Sequence, residues 1–155
     1  ALAIGTEKSD RGLLAEQPRD TKEGILTGSF IFHLFGYGMM IAIVTMTAFY
    51  IGLQSDAMTA STMAFATLTL ARLFHGFNCR ADASIFKLGL GSNKYSILAF
   101  IAGLVLLNAV LFIPAFHGLF MVADLTIGNI GTIYLLAFMP TVIIQLYKVI
   151  KEKRK

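Results

Sequence analysis

Arg72 is the only basic residue set inside a long apolar run, and a fixed cation at that depth is the sharpest chemical feature of the sequence. It falls roughly 9 Å inside the end of its segment, at about 1.5 Å per helical residue. On insertion scales an arginine at a helix centre costs about 2.5–3.5 kcal/mol, and less where the side chain reaches the interface. Arg72 is therefore expected either to snorkel or to act as an internal counter-charge at a polar site. No Asp or Glu lies at membrane depth elsewhere in the sequence. An acidic partner is thus expected from outside these residues. Thr62, Ala66, Thr69, Arg72 and Gly76 recur at spacings of four and three, which places them on one helical stripe. The stripe is small and polar, so it is expected to face other helices and not lipid.

The remaining reactive side chains offer less. His33 has no second His, Cys or carboxylate one turn away, so it reads as interfacial or bundle-facing and not as a metal ligand. His117 has no ligand partners nearby in sequence and is expected to be interfacial. Cys79 is the only cysteine, which excludes an internal disulfide and reads as a bland thiol. No catalytic residue and no metal site is expected in this sequence.

These residues are positioned by four apolar segments. Of 155 residues, 56% are hydrophobic and only 14% charged, more apolar surface than a soluble domain of this length needs. The spans are expected at about 30–53, 59–78, 95–113 and 130–148, each near the ~20 residues that cross a bilayer. They are continuous runs, so they are helices; a β-barrel would show short alternating segments. The fold class is all-α integral membrane, multi-pass in the cell membrane.

Threading the chain through four spans places twelve of the thirteen Lys and Arg on one face. They fall in the N-terminal segment, the loop after the second helix and the C-terminal tail. The opposite loops, around Asp56 and Asp124, carry none. By the positive-inside rule the basic face is cytoplasmic, with both termini there. The net charge of +4 is then a flank beside anionic lipid and implies no nucleic-acid partner.

Residues 1–28 read as a cytoplasmic loop from the end of a preceding helix, and residues 29–155 as the four-helix membrane domain. The sequence opens on Ala1 without Met and with no secretory leader; it is expected to be a piece of something larger. Gly36 and Gly38 are expected to let helices approach closely. The short stretch 51–58 requires the first two helices to be antiparallel neighbours. Phe116, Leu119, Phe120 and Met121 are expected to lie along the membrane surface. Pro140 is expected to kink the fourth helix. The tail Lys148–Lys155 is expected to snorkel at the cytoplasmic interface.

Two stretches resemble a known family. Gln17-Pro-Arg-Asp-Thr-Lys-Glu-Gly-Ile-Leu-Thr-Gly28 resembles the loop between the sixth and seventh helices of P-type cation-transporting ATPases. Thr62-Met-Ala-Phe through Phe77-Asn78-Cys-Arg80 resembles the eighth helix of their calcium-pump branch. The resemblance covers the whole chain and is nearest to bacterial calcium pumps. It implies that the four helices are the seventh to tenth of ten. The parent would be an enzyme using ATP, Mg2+ and Ca2+, whereas this part alone would be none and would hold no cofactor. Its partners would be the preceding transmembrane helices and the phosphorylation domain. The resemblance places Arg72 where two-ion calcium pumps carry a glutamate ligand, and Pro18, Arg19, Asp20 and Glu23 in a coupling loop. A guanidinium has no acceptor and would repel calcium, so one calcium per cycle is expected. The alternative is a self-standing four-helix membrane subunit that packs against a larger membrane partner. In isolation, lipid, detergent or self-association would cover the faces left open.

Overall fold

The structure, a computed structural model, describes residues 27–79 and 93–153. Five helices make up the described part: α1 (Gly28–Gly52), α2 (Ala57–Asn78), α3 (Lys94–Phe112), α4 (Pro114–Phe120) and α5 (Ile127–Lys153). α1, α2, α3 and α5 are each long and apolar enough to cross a membrane, and no strand occurs among the described residues. The protein is a multi-pass membrane protein.

The helix starts follow from local chemistry. The first amides of a helix lack intrahelical partners, and a short polar side chain at the N-cap supplies one. Thr27 Oγ1 accepts from the Phe30 amide at 3.3 Å. Asn93 Oδ1 accepts from Ser96 at 3.1 Å. Asp56 does more: one carboxylate oxygen accepts from the Met58 and Thr59 amides, each at 2.8 Å, and the other from the Thr59 hydroxyl at 2.7 Å. These bonds, the Thr59 amide foremost, hold the Asp56 carboxyl below its ordinary range. α4 begins on Pro114, whose missing N–H costs nothing at a first helical position.

Contacts along the helices fix their directions. Gly52 meets Ala60 at one end of α1 and α2, and Tyr37 meets His75 toward the other, with ring centres 5.4 Å apart. The two are therefore antiparallel, as the short connection demands. α2 and α5 run parallel: Ala123, just before α5, binds Thr62 near the start of α2, and Gln145 binds Asn78 at its end. α3 opposes α2, with Leu73 against Gly103 and Phe77 against Phe100. The start of α1 and the end of α5 thus lie at one end of the bundle, with Lys94, Lys148, Lys151 and Lys153. The charged side chains of the opposite end, among the described residues, are Asp56 and Asp124, with His117 beside them.

α2 is the central element, packing on α1, α5 and α3. Ala48, Ala60, Ala66 and Ala137 are fully buried, and Met63, Leu70, Ile133 and Ile144 fill the spaces between helices. Small residues at the crossings are what lipid requires, because close backbone approach replaces the hydrophobic drive. α1 and α3 leave most of their apolar surface outward.

Several expectations change. Gly36 and Gly38 do not mediate close packing here, since a Cβ at either would meet nothing within 4 Å. The close approaches are at Gly52 and Gly103 instead. The basic tail does not start as a snorkelling segment. α5 runs on to Lys153, and Lys148 is buried, its Nζ donating to the Asn78 carbonyl at 2.7 Å. The physical reason is the end of α2, whose last carbonyls have no intrahelical partner and attract a cation. Residues 114–120 form a helix, with Leu119 and Met121 strongly exposed.

Candidate functional site

α2 carries the candidate site, and its two ends are tied down differently. At the Asp56 end Thr62, buried in the bundle, donates its hydroxyl to the Met58 carbonyl at 2.8 Å. The same oxygen accepts from the Ala123 amide at 2.9 Å. This bond anchors the partly buried segment before α5 onto α2. Thr67 is also buried, and its hydroxyl finds no partner. The two threonines should respond in opposite ways to the same substitution. Thr62→Val strands the Ala123 amide and should cost about 1–3 kcal/mol, whereas Thr67→Val removes an unpaired hydroxyl at nearly constant shape and should be neutral or stabilising. Thermal unfolding of the two variants in the same detergent measures the contrast.

At the Lys148 end a polar knot joins α2 to α5. Asn78 Oδ1 accepts from Gln145 Nε2 at 2.6 Å. Asn78 Nδ2 donates to Thr141 Oγ1 at 3.3 Å and lies 3.4 Å from His75 Nδ1. Lys148 completes the knot through the Asn78 carbonyl. Asn78, Thr141, Gln145 and Lys148 are all buried. Sequence reasoning noticed Asn78 only as part of a familiar motif and missed its partners. The signal available was Thr141, Gln145 and Lys148, polar at spacings of four and three in an apolar run, which puts them on one face of α5.

Between these ends the expected stripe divides. Thr62 and Ala66 are buried, Thr69 and Gly76 are partly covered, and Arg72 is exposed on the outward side of the bundle. α2 thus turns Arg72 away from α1 and α5, and no ion pair to it forms among the described residues. Apart from residue Glu152 in the last turn of α5, the acidic residues of the described part are Asp56 and Asp124, at the far end. No group of three His, Cys, Asp or Glu that could hold a metal occurs among the described residues. Pro18, Arg19, Asp20 and Glu23 lie outside the described residues.

His33 is partly covered, its ring near Phe32 and Tyr37. His117 departs from expectation. It is not merely interfacial, because its Nδ1 lies 2.9 Å from an Asp124 oxygen. The two are seven residues apart, and the turn at Met121 folds them together.

The family model described as "Cation transporting ATPase, C-terminus" matches residues 1–150. Calcium-transporting ATPase 1 of Bacillus cereus is 31% identical over an alignment covering 98% of this chain and 19% of that protein. A calcium-transporting ATPase of Listeria monocytogenes is 32% identical over 99% of this chain and 18% of its own length. The human calcium-transporting ATPase type 2C member 1 is 26% identical, with 100% of this chain and 17% of that protein covered. The chain spans less than a fifth of the length of these relatives.

Proposed function

The chain belongs to the C-terminal family of cation-transporting ATPases, and from that membership we propose that it is the C-terminal membrane part of an ATP-driven calcium pump. The observation that carries this reading is similarity along the whole chain to calcium-transporting ATPases of which it covers under a fifth. Residues 29–155 supply scaffold helices, and α2, as the eighth helix, supplies one side of the ion site. Residues 1–28 are the loop from a preceding helix, and Pro18, Arg19, Asp20 and Glu23 couple the ion site to the phosphorylation domain. ATP and Mg2+ act on the parts of the pump that this sequence lacks, since it contains no Asp-Lys-Thr-Gly-Thr motif. The basic end faces the cytoplasm, as the positive-inside rule requires.

Arg72 stands in for an ion ligand. Its exposed position on α2 leaves it directed outward from the four helices, where the preceding helices would pack and bring carboxylates. A fixed cation there compensates their charge in place of a second calcium, so the pump moves one calcium per cycle. Burying it unpaired would cost several kcal/mol, so the site needs an anion opposite it. Transport stoichiometry in the whole pump tests this. One calcium per ATP is expected, and two would refute the role given to Arg72. Arg72→Glu should raise the calcium bound at saturation, because it restores an oxygen ligand and removes a repelling charge.

A further inference from the structure

His117 lies in α4 between the last turn of α3 and the segment leading to α5. Its Nε2 is 3.1 Å from the carbonyl oxygen of Leu111, in the last turn of α3. Its Nδ1 is 2.9 Å from Asp124 Oδ1, in the segment leading to α5. A carbonyl oxygen can only accept a hydrogen bond, and so can an ionised carboxylate. Both ring nitrogens must then donate, which only the imidazolium form can do. A neutral ring carries one N–H and must abandon either Leu111 or Asp124.

The residues this pair encloses make a left-handed turn at the end of α4. Met121 is the one non-glycine residue with positive φ among the described residues, at 52°, a region unfavourable for an L side chain. Next to it, Val122 donates to the His117 carbonyl at 3.2 Å, and Ala123 donates to Thr62 on α2 at 2.9 Å. Residues 121–124 are therefore a left-handed turn held by successive contacts to α4, α2 and the His117 ring.

We propose that His117 is a proton-dependent clamp on this end of the bundle. Doubly protonated, it ties the α3–α4 corner to the segment before α5 and holds the Met121 turn in place. Loss of one ring proton breaks one of the two bonds, so the ring no longer ties the α3–α4 corner to the segment before α5, and the hold of Ala123 on α2 loosens. The sign follows from which form makes both bonds: the clamp is held while the ring is doubly protonated and released as rising pH removes one ring proton. Few other charges compete. Within the described residues α2 has no charged side chain before Arg72, α3 has none beyond Lys94, and α5 has none before Lys148. Asp56 at the same end is engaged at the start of α2, and Tyr134 of α5 donates to Asn108. Asp124 is the carboxylate in contact with the ring, and it is largely open to solvent, so it can be released without being stranded in an apolar site. Which compartment the clamp senses rests on the orientation proposed above; its protonation chemistry does not.

The test is a pH series of nitrogen-15 spectra on the uniformly nitrogen-15-labelled chain in nanodiscs, from about pH 5.5 to about 8.5, with the His117 ring signals identified by their loss in His117→Gln. At low pH His117 should show two protonated ring nitrogens. As one proton leaves, the amide signals of Met121, Val122, Ala123 and Asp124 should shift with the same midpoint. In Asp124→Asn the carboxamide can donate to a bare Nδ1 while Nε2–H still serves Leu111. The four amides should then no longer follow the His117 titration, in whichever position the turn rests. A singly protonated His117 across the whole range would overturn the proposal, as would loop amides that follow its titration equally in Asp124→Asn.

Discussion

Gly52→Val is expected to disrupt the hairpin of α1 and α2 and to cost about 3 kcal/mol, near the top of the usual range for overpacking. A Cβ at Gly52 would lie 2.7 Å from the Ala60 Cα, 2.9 Å from the Ala60 nitrogen and 3.0 Å from Met63 Sδ. Two of these three atoms are backbone and cannot swing aside. Relief requires the helices to separate, and separation uncovers Ala48, Ala60 and Met63, which have no exposed surface. Gly36→Ala is the matched control. It lies in the same helix with nothing within 4 Å of its Cβ, and alanine suits a helix better than glycine by up to about 1 kcal/mol. It should be neutral or stabilising. Thermal unfolding of both variants in one detergent decides the matter. Equal effects would mean that the Gly52 contact does not hold the hairpin.

Asn78→Leu is expected to cost about 2 kcal/mol. The substitution roughly keeps volume but removes the bonds to Gln145 and Thr141 and the contact with His75. Interhelical hydrogen bonds in membranes average only about 0.6 kcal/mol each. The larger part of the cost comes from buried polar atoms that lose a partner. The backbone carbonyl that receives Lys148 is unchanged, so the knot weakens without vanishing. A double-mutant cycle with Gln145→Leu isolates the pair. Coupling of about 0.5 kcal/mol or more is expected for residues in direct contact, and strict additivity would show that the 2.6 Å bond contributes nothing. Loss of this bond should also loosen α5 from α2 at the Lys148 end while leaving the Thr62–Ala123 tie intact.

Arg72 illustrates how far sequence reading carries toward the site. A charge inside an apolar run is visible without any structure, because burial energy makes it an anomaly wherever the helix turns. Which face it occupies is not visible in the same way. The stripe from Thr62 to Gly76 reads as one surface, yet Thr62 and Ala66 go inward while Arg72 lies outward. At 3.6 residues per turn Arg72 lies about 80° round the helix from Thr62, enough to carry it out of the interface that Thr62 enters.

Lys148 and the glycines show the same limit. A charge count assigns Lys148 to a solvated tail, since it begins a basic run. The structure draws it onto the end of α2, because unpaired carbonyls there offer a better partner than the interface. Gly36 and Gly38 look like packing glycines by type, but only a neighbouring backbone makes a glycine necessary, and that neighbour stands opposite Gly52. His117 and Asp124 are ordinary loop residues in sequence. The Met121 turn makes them a pair.

The sequence by itself determined the class, the four spans and the polarity of their ends. These depend on composition summed along the chain, and lipid leaves a 20-residue apolar run little choice but a helix. It also marked Arg72 as the residue to explain. Only the tertiary structure decided how each helix is rotated about its axis, and with that which glycine is crowded, which lysine is buried and which histidine meets a carboxylate. Rotation is set by a few contacts between residues distant in sequence, such as Asn78 with Gln145 and Thr62 with Ala123, and no local pattern encodes which of those contacts will form.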